Sequence, residues 1–158
     1  MTQPLVVKFS RAFPVPVDKA FRAVLETPLD RVFVGRFGPL PPIRGVEDQD
    51  GAWGTVGQTR TIRLADGGSM CEQLTKVDEP VEFGYTITDI TGPMKPLAGS
   101  VEGRWSFEAV GTGVRITWAW KVQPASSIAE LAMPLFGWLW KGYARQAMDR
   151  LETLLLAH

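Results

Sequence analysis

Residues 101–122 read VEGRWSFEAVGTGVRITWAWKV. Apolar and polar residues alternate on both sides of Gly111-Thr112, which is typical of two antiparallel strands joined by a tight turn. A two-residue turn there predicts four facing pairs: Phe107 with Ile116, Trp105 with Trp118, Gly103 with Trp120, and Val101 with Val122. Because these residues then share one face, the stretch predicts a sheet with an apolar, tryptophan-rich face and a polar face.

Two more hairpins extend this sheet. A three-residue loop at Asp66-Gly67-Gly68, with glycine in the left-handed conformation, predicts that Leu64 faces Met70, Ile62 faces Glu72, and Arg60 faces Leu74. A four-residue loop at Asp78–Val81 predicts that Lys76 faces Phe83, Leu74 faces Tyr85, and Glu72 faces Ile87. In these registers Arg60, Glu72 and Lys76 join the apolar face. Arg60 and Glu72 are then diagonal neighbours on adjacent strands.

The remaining pattern adds one strand and two short helices before the hairpins and one long helix after them. Alternation over Leu5–Phe13 predicts a strand, and prolines then open helices over about 16–25 and 28–34. A loop rich in glycine and proline covers 35–42, and a long helix with an apolar stripe follows Pro124. We therefore expect an α+β fold. Its seven-stranded antiparallel sheet wraps around the long C-terminal helix, with two short helices between strands 1 and 2.

Composition argues against several classes of protein. The chain has 158 residues, which fits one domain spanning 1–158, and its 17 basic residues balance 17 acidic ones, so nothing attracts nucleic acid globally. Cys71 is the only cysteine and His158 the only histidine, which argues against disulfides, histidine triads and histidine-ligated metals. No apolar run has the length of a transmembrane segment. We expect a cytoplasmic domain with no metal and no cofactor.

This order of elements resembles the helix-grip order of the SRPBCC superfamily, which includes START lipid-binding domains, pollen-allergen-like proteins and polyketide cyclase/dehydrase-like proteins. The chain looks most like the small bacterial polyketide cyclase/dehydrase-like group. The segments that carry the resemblance are Phe13-Pro14-Val15-Pro16 before Ala20-Phe21, Trp53-Gly54 and Gly57 before Thr59-Arg60, Asp66-Gly67 with Glu72, and Pro80 with Phe83 and Tyr85. The resemblance implies a deep apolar cavity between the sheet and the terminal helix.

The predicted face supplies the candidate ligand-binding residues. They are Arg60, Glu72, Phe83, Tyr85, Trp105, Trp118 and Trp120 from the sheet, with Phe136 or Trp140 from the terminal helix. Arg60 and Glu72 are either a polar anchor for a ligand or a structural ion pair, since buried charges are paired. The Tyr85 hydroxyl either donates to a ligand oxygen or binds a backbone carbonyl. Glu72, Arg60 and Tyr85 are also the only candidates for proton transfer. The large rings either line a ligand site or fill the core.

Two further segments suggest access and association. Phe33, Phe37 and Leu40 lie in or near the proline-stiffened loop beside the expected cavity mouth, where they could gate it or simply tuck into the core. Residues 131–140 are apolar on more than one face, and Trp138 lies off the stripe that faces the sheet. This suggests burial by a partner, a homodimer seam or a membrane-surface contact, unless Ser126–Leu131 forms a separate turn that covers the face.

Three functions fit these features. The first is binding or carrying a small hydrophobic ligand, aromatic or lipid-like, inside the cavity. The second is a regulatory or interaction module whose cavity is filled by its own side chains. The third is an aromatase/cyclase-type enzyme that folds a polyketide by positioning and proton transfer, which requires an acid/base pair across a space that substrate can enter.

Overall fold

The sheet that the hairpins predict is present in the computed structural model, which describes residues 2–157. The strands are β1 (Leu5–Phe13), β2 (Ile43–Glu47), β3 (Thr59–Leu64), β4 (Ser69–Asp78), β5 (Glu82–Thr91), β6 (Ala98–Val110) and β7 (Gly113–Pro124). The helices are α1 (Val17–Glu26), α2 (Leu29–Val32) and α3 (Ser127–Leu155), with a 3-10 turn at Gly92–Met94. The strand order β1-β7-β6-β5-β4-β3-β2 is antiparallel throughout. The α+β helix-grip prediction is confirmed.

The β6–β7 hairpin has the predicted register in full. Trp105 pairs with Trp118 and Gly103 with Trp120, and the two outer pairs also agree. Val110 pairs with Gly113 across the two-residue turn. The neighbouring strand β5 places Phe83 beside Trp105 and Tyr85 beside Gly103. The aromatic residues of three adjacent strands therefore form one continuous wall.

The predicted β3–β4 register is wrong by two residues. The loop has three residues as expected, but it is Ala65–Gly67, and Gly67 takes the left-handed conformation at φ +90°. Gly68 is the first residue after the loop, where an added Cβ would lie 2.7 Å from the carbonyl oxygen of Thr91. As a result, Arg60 lies directly opposite Glu72 instead of diagonally.

The β4–β5 register is correct up to a bulge. Leu74 pairs with Tyr85 and Glu72 with Ile87 as predicted. After Leu74 the register shifts, so Lys76 faces Gly84 and not Phe83. The bulge turns Lys76 out of the apolar face, and its exposed ammonium lies 3.4 Å from the Glu82 carboxylate.

The helices close the concave side of the sheet. Helix α1 buries Phe21, whose ring packs edge-on against Phe83 at 5.7 Å and Phe107 at 5.2 Å between centroids. The α3 residues Met133, Phe136, Trp140, Ala144, Ala147, Met148, Leu151 and Leu155 are buried. The convex face carries cross-strand ion pairs such as Lys121–Glu102. Within residues 2–157, no helix combines the length and apolar character needed to span a bilayer.

Candidate functional site

The concave face and the helices enclose a cavity of about 80 Å³. Its wall is mainly apolar and includes all seven of the predicted sheet residues, together with side chains from α1, α2 and α3. The lining residues are Val24, Leu25, Leu29, Val32, Phe33, Ile43, Arg60, Ile62, Leu64, Met70, Glu72, Phe83, Tyr85, Ile87, Trp105, Trp118, Trp120 and Tyr143. Among the additional residues, only Tyr143 comes from α3, whose apolar stripe the sequence predicts.

Neither α3 residue predicted for this wall lies in it. Trp140 instead packs against Trp118, at 4.7 Å between ring centroids, and against Trp120, at 6.1 Å. Its indole therefore fills core space beside the sheet instead of lining the cavity. Phe136 lines a separate hollow of about 200 Å³, together with Leu40. Tyr143, one turn after Trp140, is the α3 residue in the cavity wall.

Tyr85 is held at the centre of the wall by two tryptophans. Its hydroxyl oxygen accepts hydrogen bonds from Nε1 of Trp118 at 2.8 Å and from Nε1 of Trp120 at 2.9 Å. The Tyr85 ring lies across Gly103, where an added Cβ would overlap the ring. Burial raises the pKa of Tyr85 well above its usual value, and the nearby Glu72 carboxylate raises it further. The phenol is therefore protonated at physiological pH.

Arg60 and Glu72 form a buried ion pair beside Tyr85. Arg60 Nε donates to Glu72 Oε1 at 2.7 Å, and both side chains are almost fully buried. The guanidinium also lies 3.9 Å above the Trp53 ring and donates to Gln49 Oε1 at 3.3 Å. Burial raises the pKa of Glu72, and the opposing effect of Arg60 only partly offsets this rise. Because the two residues pair directly across β3 and β4, the charge of each side chain stabilises the charge of the other.

The three proton-transfer candidates therefore lie in one wall. Glu72 is bound to Arg60, and the elevated pKa of Tyr85 makes its phenol a hydrogen-bond donor and not a phenolate base. His158 lies outside the described residues. Within 2–157, no three side chains of His, Cys, Asp or Glu come together in a way that could hold a metal ion. The arrangement is suited to orienting a polar group on an otherwise apolar molecule.

The expected gate residues have different positions. Phe33 is buried in the cavity wall, where its ring stacks on Tyr143 at 5.6 Å and contacts Trp118 at 5.2 Å. Phe37 packs on α3 over Gly142, a site with no room for a Cβ. Phe37 and Leu40 exchange two backbone hydrogen bonds of 3.0 Å, which tighten the loop. Of the three, only Phe33 touches the cavity.

The start of α3 is continuous with the rest of the helix. The Ser126 hydroxyl caps it by accepting a hydrogen bond from the Ala129 N–H at 3.1 Å, and the alternative of a separate covering turn at Ser126–Leu131 is not what the structure has. Four large apolar side chains of this end remain uncovered. Exposure is 80% for Ile128, 82% for Leu131, 62% for Leu135 and 67% for Trp138.

Comparison with known proteins gives a family match over nearly the whole chain. Residues 4–155 match the family described as polyketide cyclase / dehydrase and lipid transport. None of the curated proteins matches the sequence.

Solved structures share the fold at low sequence identity. Protein Ms6760 from Mycobacterium smegmatis is 21% identical with a TM-score of 0.66, covering 98% of this chain and 92% of its own. The protein TTHA0849 from Thermus thermophilus is 17% identical with a TM-score of 0.70, covering 97% of this chain and 98% of its own. The major latex-like protein 151 of Panax ginseng is 14% identical with a TM-score of 0.65, covering 97% and 98%. These structures support the fold alone.

Proposed function

This chain belongs to the polyketide cyclase/dehydrase and lipid transport family within the SRPBCC superfamily, and we propose that it binds and carries a small, aromatic hydrophobic molecule in the cavity under α3. The fold is one that binds hydrophobic ligands. The observation that carries the proposal is the cavity wall itself, in which three polar side chains, Arg60, Glu72 and Tyr85, interrupt a continuous apolar surface. Such a wall suits an apolar body with one oriented polar group.

The cavity size limits the ligand. At about 80 Å³ it is smaller than the roughly 150 Å³ cavity that accepts benzene in an engineered protein, and far below the roughly 300–1,000 Å³ of drug-sized sites. The space present is therefore less than one aromatic ring needs. A ring-sized ligand requires movement of a wall side chain, and Phe33 beside the short helix α2 is our candidate, in keeping with a gating role.

Native mass spectrometry of the protein purified from its own host provides the first test, and we expect a co-purifying small molecule. Toluene provides a defined probe, and saturation-transfer NMR measures its binding to the protein. Ile62→Phe places extra ring atoms in the cavity and should abolish toluene binding. Ile90→Phe is the matched control, because Ile90 is equally buried in the sheet but does not line the cavity.

The main competing function is the module with a filled core, which the small cavity and the Trp140 packing favour. It predicts no co-purifying molecule, no toluene signal, and equal stability effects for the two phenylalanine substitutions. That combination of results would overturn the binding proposal.

We also propose that a second copy of the chain covers the exposed end of α3. The exposed side chains there are spaced by three, four and three residues, which is the spacing of a two-helix seam; they are Ile128, Leu131, Leu135 and Trp138.

We further propose that the protein works in the cytoplasm. Cys71 is the single cysteine of the chain and is unpaired, which fits a reducing compartment.

A further inference from the structure

The Tyr85 hydroxyl has one unused hydrogen-bonding capacity. A phenolic oxygen can accept two hydrogen bonds and its proton can donate one. The indole N–H groups of Trp118 and Trp120 occupy the accepting side, at 2.8 and 2.9 Å. Among residues 2–157, no side chain or carbonyl accepts the phenolic proton. Tyr85 can therefore act toward any further partner only as a donor.

The position of Tyr85 directs that donor to the cavity. Tyr85, Trp118 and Trp120 all line it, and Tyr85 itself is only 6% exposed. The ring lies against the Cβ-free surface of Gly103, and the two indole hydrogen bonds hold its hydroxyl in place. Accepting two hydrogen bonds also polarises the O–H group, so it donates more strongly than a free phenol. A buried donor without an acceptor is costly, which favours a ligand that supplies one.

We infer that the ligand carries an uncharged carbonyl-type oxygen, and that this oxygen accepts a hydrogen bond from the Tyr85 hydroxyl. This inference rests on the proposed binding function and narrows its ligand class. A neutral acceptor fits better than a carboxylate because Glu72 lines the same cavity, and Arg60 is already paired with it at 2.7 Å. A ligand anion there would meet a carboxylate without a free cation to balance it.

Two isosteric probes separate the donor from the cavity. Acetophenone and α-methylstyrene differ only in a C=O that replaces a C=CH₂ group. Titrations followed by NMR on the unmodified protein should show acetophenone binding about tenfold more tightly, the effect of one neutral hydrogen bond. The indole N–H signals of Trp118 and Trp120 should shift with acetophenone, because both groups bind the oxygen that donates to it.

Tyr85→Phe should bring the two affinities together. Tyr143→Phe is the matched control: the second tyrosine lines the same cavity, but its hydroxyl already donates to the Pro41 carbonyl at 2.8 Å, so the preference should persist. If Tyr85→Phe does not fold, the comparison of probes on the wild type still decides. Equal wild-type affinities, or a preference that survives Tyr85→Phe, would overturn this inference while leaving the binding function intact. Failure of both probes to bind the wild type would overturn this inference, and together with the absence of a co-purifying molecule and of a toluene signal it would overturn the binding function as well.

Discussion

Arg60 and Glu72 neutralise each other's charge in a buried, mainly apolar wall. Removing one partner should therefore lower the free energy of unfolding more than removing both. Arg60→Met strands a carboxylate in an apolar wall and should destabilise the fold by about 3–5 kcal/mol. Glu72→Gln should cost less, because the amide oxygen can still accept from Arg60 Nε. The double variant should recover much of the loss. Urea unfolding of all four proteins measures the coupling, and simple additivity would show that the charges do not depend on each other.

The raised pKa of Glu72 also predicts a pH dependence. A carboxyl whose pKa is higher in the folded state contributes stability that is fully present below its unfolded value, about 4.3, and is lost as pH rises through the folded value. The stability of the wild type relative to Glu72→Gln should therefore fall as pH is raised from 4 to 8. Denaturation series on both proteins isolate this group, because the other carboxyls are common to both.

Arg60→Met gives a control for that slope. Without the guanidinium, nothing offsets the burial of Glu72, so its pKa should rise further and the decline should extend to higher pH, with a larger total loss. A decline that is unchanged in Arg60→Met would mean that Arg60 does not act on the carboxyl.

At the scale of elements, the contact between β5 and β6 depends on one missing side chain. Gly103→Ala puts a methyl group where the Tyr85 ring lies, so the ring must leave the two indole N–H groups. We expect a loss of about 1–3 kcal/mol from overpacking, and more if the indole donors are left unpaired. Gly99→Ala on the same strand is the control, since its Cβ would have ordinary contacts at 3.8 Å. Thermal unfolding that gives equal losses for the two variants would contradict this account.

Turn chemistry explains which registers could be predicted. Gly111-Thr112 offers a single two-residue solution, and the β6–β7 register follows from it. Asp66-Gly67-Gly68 contains two glycines, either of which could take the left-handed position. The choice between them depends on the approach of Gly68 to Thr91 on β5, a contact outside the hairpin. The bulge after Leu74 likewise leaves no mark on the alternation of the strand.

The sequence predicts which face of the sheet carries the site, but not how closely the helix side chains pack against that face. Strand parity places Glu72, Tyr85 and the tryptophans on the concave face, and all of them line the cavity. The α3 stripe shows which side of the helix is buried, but its rotation against the sheet depends on packing of whole rings. That packing puts Trp140 against Trp118 and leaves Tyr143 facing the cavity. The periodicity of apolar residues predicts the buried side of a helix, but not which single side chain of that side contacts a given ring.

At the scale of the whole molecule, the start of α3 leaves an apolar surface without cover. Four large side chains at the start of α3 are each more than 60% exposed, while the rest of the helix buries its apolar stripe. Exposed apolar clusters of this kind mark contact sites. A twofold axis through the seam would bring each surface against its own copy, so that any substitution there would be present on both sides of the interface. We therefore expect a dimer whose population rises with protein concentration in sedimentation experiments.

Leu131→Glu tests this dimer, because Leu131 is the most exposed of the four side chains, at 82%. Removing a leucine from each half of the seam should cost about 3 kcal/mol in total, or about a hundredfold in the dissociation constant, before any repulsion between the new charges. Val56→Glu is the control, since Val56 is 56% exposed but lies in the turn before β3, away from α3. It should leave association unchanged. A wild type that stays monomeric at every concentration, or equal effects of the two substitutions, would show that a second copy does not cover this surface.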